Sequence, residues 1–265
     1  MRNCVPLWRR LATKSLMDDF VVIRLNKGRD SVTFTSGPMS SNHRSIAIPF
    51  PPVSKMPDWG PVYVGGELNT GNLVESYTRG IFPWPSETDD PMEWHCPNPR
   101  AVLFFEDLHI PKSLKRVIKK NLYRFTINAA FDRVIRACAG AERGRFNRSW
   151  IFDEVVAAYS QLHREGLAHS VEVWDGGELV GGLYGVCIGG VFTGESMFHV
   201  RNDASKLAVL HLIEYLEERG ATWIDIQVMT PHFERFGATH ISRTWFLRLM
   251  AWTQQQRLEL FKGSE

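Results

Sequence analysis

Between residues 170 and 228 the chain sets out an order of elements that constrains the rest. Residues 170–174 and 179–186 are strand-like runs separated by Asp175-Gly176-Gly177-Glu178, a hairpin turn built on glycine. A third strand-like run, 191–198, pairs next. The helix expected over 204–219 carries Val209, Leu212, Ile213 and Leu216 at i, i+3, i+4, i+7, a stripe that must be buried. A strand over 223–228 follows it. Within these apolar segments stand Glu195 (Gly194-Glu195-Ser196-Met197-Phe198), Asp225 and Gln227. Carboxylates and amides are costly to bury without partners. Asp225 and Gln227 are two apart, so on a strand both lie on one face, which outlines a site.

Elsewhere the same alternation of short strands and helices begins at residue 101. Strands are expected over 101–105 and 123–127, and helices over 111–120, with proline in its first turn, 129–139, 153–165 and 243–255. Hairpins followed by one amphipathic helix and one further strand give an α/β (α+β) chain with an acetyltransferase (GNAT)-like sheet. Before residue 100 the composition differs. Residues 36–61 are rich in Pro, Gly and Ser, 71–80 form a short helix closed by glycine, and 81–85 and 92–100 are proline-stiffened aromatic segments. Three regions are therefore expected: an amino-terminal extension over 1–35 with a possible hairpin across 20–35, a small α+β domain over 36–99, and the GNAT-like domain over 100–265.

Composition excludes several classes. A net charge of +2 limits any nucleic-acid contact to a local patch. No apolar run approaches the ~18 residues of a membrane span. Cys4, Cys96, Cys138 and Cys187 are scattered without a Cys-x-x-Cys pair, the usage of a reducing compartment. His95, His109, His199 and His232 have no metal-site spacing. The first 17 residues hold Arg2, Arg9, Arg10 and Lys14 and no acid; a disordered or over-long start is the plainer account, a targeting leader the alternative.

A set of ordered motifs then resembles one family. They are Gly65-Gly66-Glu67-Leu68, Tyr77-Thr78-Arg79-Gly80-Ile81-Phe82-Pro83-Trp84, Pro97-Asn98-Pro99-Arg100, Ser149-Trp150-Ile151 and His169-Ser170-Val171-Glu172-Val173-Trp174. Leu179-Val180-Gly181-Gly182, Gly194-Glu195-Ser196-Met197-Phe198, Ala204-Ser205-Lys206 and Asp225-Ile226-Gln227-Val228 continue the series. From about residue 43 to 248 the chain resembles the leucyl/phenylalanyl-tRNA–protein transferases. The resemblance implies a cytoplasmic enzyme, monomeric and without a membrane anchor, that moves Leu or Phe from aminoacyl-tRNA to the amino terminus of proteins beginning with Arg or Lys, so marking them for degradation. It implies a small amino-terminal domain joined to the GNAT-like one.

Aminolysis of an activated ester needs neither ATP nor metal, so no cofactor is expected. It needs an amine positioned against a carbonyl, a proton removed and an oxyanion stabilised. Gln227, whose amide is hardly basic, can only hydrogen-bond the carbonyl or the amine. The resemblance pairs it with Asp225, which would orient it or relay a proton through it, and gives Glu195 the α-amino group of the transferred residue, a charge-assisted contact. It places Leu183 and Phe192, with Met197 nearby, in the pocket for the transferred side chain, and Trp84 and Trp150 against the terminal adenosine. Lys112, Lys115, Arg116 and Lys119 share one helix face, with Arg143, Arg145 and Arg148 near in sequence. That face suits phosphates of an acceptor stem.

Two rivals are weighed. A CoA-dependent N-acetyltransferase wants a Gly-x-Gly loop before its long helix; Arg201-Asn202-Asp203-Ala204-Ser205-Lys206 stands there, and no Gly-x-Gly occurs in the chain. A non-catalytic aminoacyl-tRNA or amino-terminus binding module would not need Glu195, Asp225 and Gln227 together. The chain departs from the family at Asp203, commonly Asn, and over Met229-Thr230-Pro231-His232, where Pro231 is expected to stiffen a loop.

Overall fold

Residues 61–95 build a small antiparallel sheet. Strands β1 (Pro61–Val64), β2 (Phe82–Pro83) and β3 (Glu93–His95) lie in the order β1-β3-β2, with helix α1 (Thr70–Thr78) between β1 and β2 in sequence. Asn69 caps α1 by accepting from the Asn72 N–H at 3.0 Å. A computed structural model describes residues 47–85, 90–141 and 150–261. The expected extension over 1–35 with its hairpin, and Arg143, Arg145 and Arg148, lie outside the described residues.

The main sheet comprises β4 (Arg100–Phe104), β5 (Arg124–Ile127), β6 (Ala168–Asp175), β7 (Glu178–Ile188), β8 (Val191–His199), β9 (Trp223–Gln227) and β10 (Thr239–Ile241), in the order β10-β4-β9-β8-β7-β6-β5. The helices are α2 (Lys112–Lys119), α3 (Phe131–Ala139), α4 (Asp153–Arg164), α5 (Ala204–Glu217), α6 (Pro231–Arg235) and α7 (Arg243–Gln255). None of the described helices is long and apolar enough to cross a membrane.

Strand alternation assigns the faces. On β4, Ala101 and Leu103 join the α5 core, whereas Val102 and Phe104 pack with Phe246, Leu249 and Met250 of α7. On β9, Ile224 and Ile226 face α5 and Trp223 faces α7. A further core unites Tyr184 and Val186 of β7 with α3, α4, α1 and the small sheet, through Leu73, Tyr77, Ile81, Phe82 and Trp94. The sheet is thus covered on both faces. Gly181 and Gly182 make this possible: a Cβ at Gly181 would stand 2.6 Å from the Ala204 Cβ of α5, and one at Gly182 3.3 Å from the Val134 Cγ2 of α3.

One buried carboxylate is structural. Glu172 of β6 accepts from Ser170 and Thr126 hydroxyls and from the backbone N–H groups of Ala129 and Ala130, which lead into α3. It therefore serves the orphan donors at a helix start.

Two expectations change. Pro231 does not stiffen a loop; it opens α6 behind the Thr230 cap, the position where a helix needs no donor. Pro111 caps α2 from outside instead of entering its first turn. Strands β1 and β10 go unannounced in the sequence because they are short and lack alternating apolar runs.

Candidate active site

Two bulges put the polar residues where they are. Along β7–β8, Tyr184 pairs with Ser196 and Gly185 with Gly194, leaving Glu195 as an extra residue. Along β4–β9, Ala101 pairs with Gln227 and Val102 with Asp225, leaving Ile226 extra, and Gln227 takes a left-handed φ of 62°. Bulges bend a strand and re-aim its side chains. β8 and β9 are parallel neighbours, paired at Thr193↔Asp225, and residues beyond that point on both strands line a cavity.

Asp225 sits behind this cavity and is 1% exposed. Its carboxylate accepts from Arg100 twice, Nε at 2.8 Å and Nη2 at 2.6 Å, from the Thr193 hydroxyl at 3.2 Å, and from the Gln227 backbone N–H at 2.9 Å. Arg100 is itself 1% exposed, with its guanidinium 4.7 Å from the Phe82 ring centre and 4.5 Å from that of Phe246. Burial opposes the Arg100 charge, but Asp225 outweighs it and raises the pKa. Asp225 therefore touches the backbone of Gln227, not its side-chain amide. It fixes a left-handed conformation that a non-glycine residue otherwise resists.

Glu195 faces neutral partners instead. Oε1 accepts from Tyr77 Oη at 2.7 Å and from Gln227 Nε2 at 2.8 Å, and Oε2 lies 3.2 Å from Tyr159 Oη. The two phenol oxygens are 2.5 Å apart. Burial pushes Glu195 up to about 7, with Asp225 adding to the rise and the hydrogen bonds from Tyr77, Tyr159 and Gln227 opposing it. Burial, then the Glu195 charge, raise both tyrosines well above their ordinary value, so both are neutral phenols.

The cavity measures about 350 Å³ and is lined by seven of the residues expected from sequence: Trp84, Trp150, Leu183, Phe192, Glu195, Met197 and Gln227. Leu183 and Phe192 are buried, whereas Trp84 is 41% exposed beside Phe82 and His95. Asp225 does not line it. Nor do Lys112, Lys115, Arg116 and Lys119, which stand on the solvent side of α2 while Leu114 is buried. Sequence reasoning missed Tyr77, Tyr159 and Arg100, and the α5 wall formed by Val209 and Leu212. Tyr77 and Arg100 lie inside quoted motifs, but Tyr159 looks like any apolar position of a helix stripe.

Comparison with known proteins agrees along most of the chain. The family described as leucyl/phenylalanyl-tRNA protein transferase matches residues 102–251, and its N-terminal domain matches residues 66–98. A leucyl/phenylalanyl-tRNA–protein transferase of Syntrophobacter fumaroxidans is 50% identical over 202 residues, 76% of this chain and 86% of that one. One from a Shewanella species is 46% identical over 209 residues, covering 79% and 88%. One from Idiomarina loihiensis is 44% identical over 215 residues, covering 80% and 90%.

Proposed function

The chain belongs to the leucyl/phenylalanyl-tRNA–protein transferase family, and we propose that it transfers Leu or Phe from aminoacyl-tRNA to the amino-terminal amine of proteins. The observation that carries this reading is one cavity that joins buried apolar walls, a carboxylate and two tryptophans. Leu183, Phe192 and Met197 take the transferred side chain; leucine and methionine adapt to either guest. Glu195 faces its α-ammonium, and Trp84 and Trp150 stack on the terminal adenosine, contacts worth about 1–3 kcal/mol per base.

Gln227 acts by hydrogen bonding. Its side-chain N–H group is held by Glu195, so its carbonyl is free to orient the incoming amine while the ester carbonyl is held against it. Asp225 is a positioning residue: its acceptor capacity is engaged by Arg100, Thr193 and the Gln227 backbone, a geometry that favours orientation over relay. The exposed face of α2 carries the phosphates of the acceptor stem, with Lys112, Lys115, Arg116 and Lys119 as counter-charges.

The finer features stand on the same basis. The acetyltransferase-like arrangement draws support from the parallel β8/β9 neighbours joined through α5 in an otherwise antiparallel sheet. A division near residue 100 fits the two separate sheets. Acceptors beginning with Arg or Lys, a cytoplasmic setting and a monomeric state complete the reading.

The test offers leucyl- or phenylalanyl-tRNA with peptides beginning with Arg, Lys, Asp or Met. Transfer to the Arg and Lys peptides is expected. Transfer to the Asp or Met peptides alone would overturn the acceptor assignment, and binding of charged tRNA without transfer to any peptide would make the protein a binding module.

A further inference from the structure

Tyr77, Tyr159 and Glu195 close a ring whose contacts outnumber its protons. The three oxygen pairs are Tyr77 Oη to Tyr159 Oη at 2.5 Å, Tyr77 Oη to Glu195 Oε1 at 2.7 Å, and Tyr159 Oη to Glu195 Oε2 at 3.2 Å. Each hydrogen bond requires one proton between its oxygens. Two phenols and an ionised carboxylate supply two protons for three contacts. If both phenols donate to ionised Glu195, the 2.5 Å phenol–phenol contact holds no proton; if Tyr159 donates to Tyr77 instead, and Tyr77 to Oε1, the two short contacts are filled and Oε2 faces Tyr159 across the longest without one. A proton on Oε2 completes the ring by donating to Tyr159 Oη. Oε1 is not available for this, because it already accepts from Tyr77 and Gln227.

We propose that Tyr77, Tyr159 and Glu195 act as one proton-accepting unit, and that this unit, not Asp225, takes the proton released by the attacking amine. The inference rests on the aminoacyl-transfer reading above. Among the described residues, the charges that act on Glu195 are Arg100 and Asp225, which pair with each other, and Gln227 and Tyr184, which packs on the Tyr159 ring, are neutral. Asp225 has no such place for a proton, since N–H or O–H donors already occupy both of its oxygens. The Glu195 value of about 7 fits an acceptor that works near neutrality.

The step balances. The acceptor amine arrives as an ammonium and gives one proton to Glu195 Oε2. Its freed electron pair forms the C–N bond at the ester carbonyl, the carbon–ribose oxygen bond breaks, and the second nitrogen proton goes to the departing ribose oxygen. The proton on Glu195 passes to solvent, so one ester and one ammonium give one amide, one hydroxyl and one proton.

Infrared difference titration of the whole protein, without substrate, follows the protonated carboxyl band of Glu195, identified by its loss in Glu195→Gln. Single-turnover transfer is measured across pH with wild type, Tyr159→Phe and Tyr77→Phe. The expected result is a Glu195 band that titrates near neutrality and moves in Tyr159→Phe. The transfer rate in that variant should fall about 10²-fold or more, the usual range of general acid–base effects, with a displaced pH profile and little change in KM for aminoacyl-tRNA. Tyr77→Phe should act the same way, which guards against a folding defect in either variant. A Glu195 titration unmoved by both substitutions overturns the ring, even in a protein that transfers nothing. A titration that moves while the pH profile of transfer stays in place overturns its catalytic use.

Discussion

Glu195→Gln should stabilise the folded protein while disabling it. The substituted amide keeps a carbonyl where Oε1 accepts from Tyr77 and Gln227, and brings an N–H group to the Oε2 position opposite Tyr159. It thereby reproduces the protonated ring permanently and without charge. Burial lifts the Glu195 carboxyl from 4.5 to about 7, which at roughly 1.4 kcal/mol per pH unit makes its ionisation in the fold cost about 3 kcal/mol. The sign follows from proton binding. Between pH 4.5 and about 7 the folded protein holds a proton that the unfolded chain has released, so stability falls as pH rises through that window and is level above it. The variant has no such loss. Urea unfolding at pH 5 and pH 8 should show near parity at the lower pH and an advantage of about 1–3 kcal/mol for Glu195→Gln at the higher. Transfer activity should meanwhile drop by about 10²-fold or more. An equal difference between the two proteins at both pH values would refute the buried, titrating carboxylate.

Asp225→Asn should destabilise by about 3–5 kcal/mol, because it leaves the Arg100 charge buried and uncompensated. The double variant Arg100→Met with Asp225→Leu should recover most of that in thermal unfolding without recovering transfer. Trp84→Ala and Trp150→Ala should each raise KM for aminoacyl-tRNA by roughly 5- to 150-fold, the equivalent of about 1–3 kcal/mol of lost stacking, with kcat changed far less. Reversing charge at Lys112, Lys115, Arg116 and Lys119 should weaken tRNA binding and flatten its dependence on salt. Unchanged affinity in a filter-binding titration would move the tRNA surface elsewhere.

Apart from β10 and α6, the order of strands and helices from residue 100 onward was legible because each of those elements carries its own periodicity. The stripe of α5 and the turn at Asp175-Gly176-Gly177-Glu178 needed no tertiary knowledge, and α7 runs over the expected 243–255. Helix α6 was not legible in the same way. Pro231 looks like a loop stiffener until Thr230 is seen accepting from the Phe233 N–H, which makes proline the first helical residue. The site was legible only in part. Period-2 alternation puts Asp225 and Gln227 on one face, but an extra residue at Ile226 breaks that period, and a register shift has no marker in composition. Tyr159 was invisible for a related reason: its ring satisfies the apolar stripe of α4, and only its hydroxyl, 36 residues away in sequence from Glu195, belongs to the site.

The two acids of the site differ in what balances their charge, and that difference divides their labour. Asp225 is matched by a guanidinium held between two aromatic rings. Its oxygens are taken up by that guanidinium, by the Thr193 hydroxyl and by the Gln227 backbone N–H, so Asp225 is spent on holding Gln227 in a left-handed backbone. Glu195 is matched only by phenols and an amide. The fixed cation that acts on it, Arg100, is already paired with Asp225, and the second Glu195 oxygen has a phenol waiting as acceptor. The α-ammonium of the transferred residue is then the natural counter-charge for ionised Glu195, and the proton that the acceptor ammonium must lose has a defined destination. Two carboxylates, one lining the cavity and one behind it, thus act differently because one faces a permanent charge and the other faces a transient one.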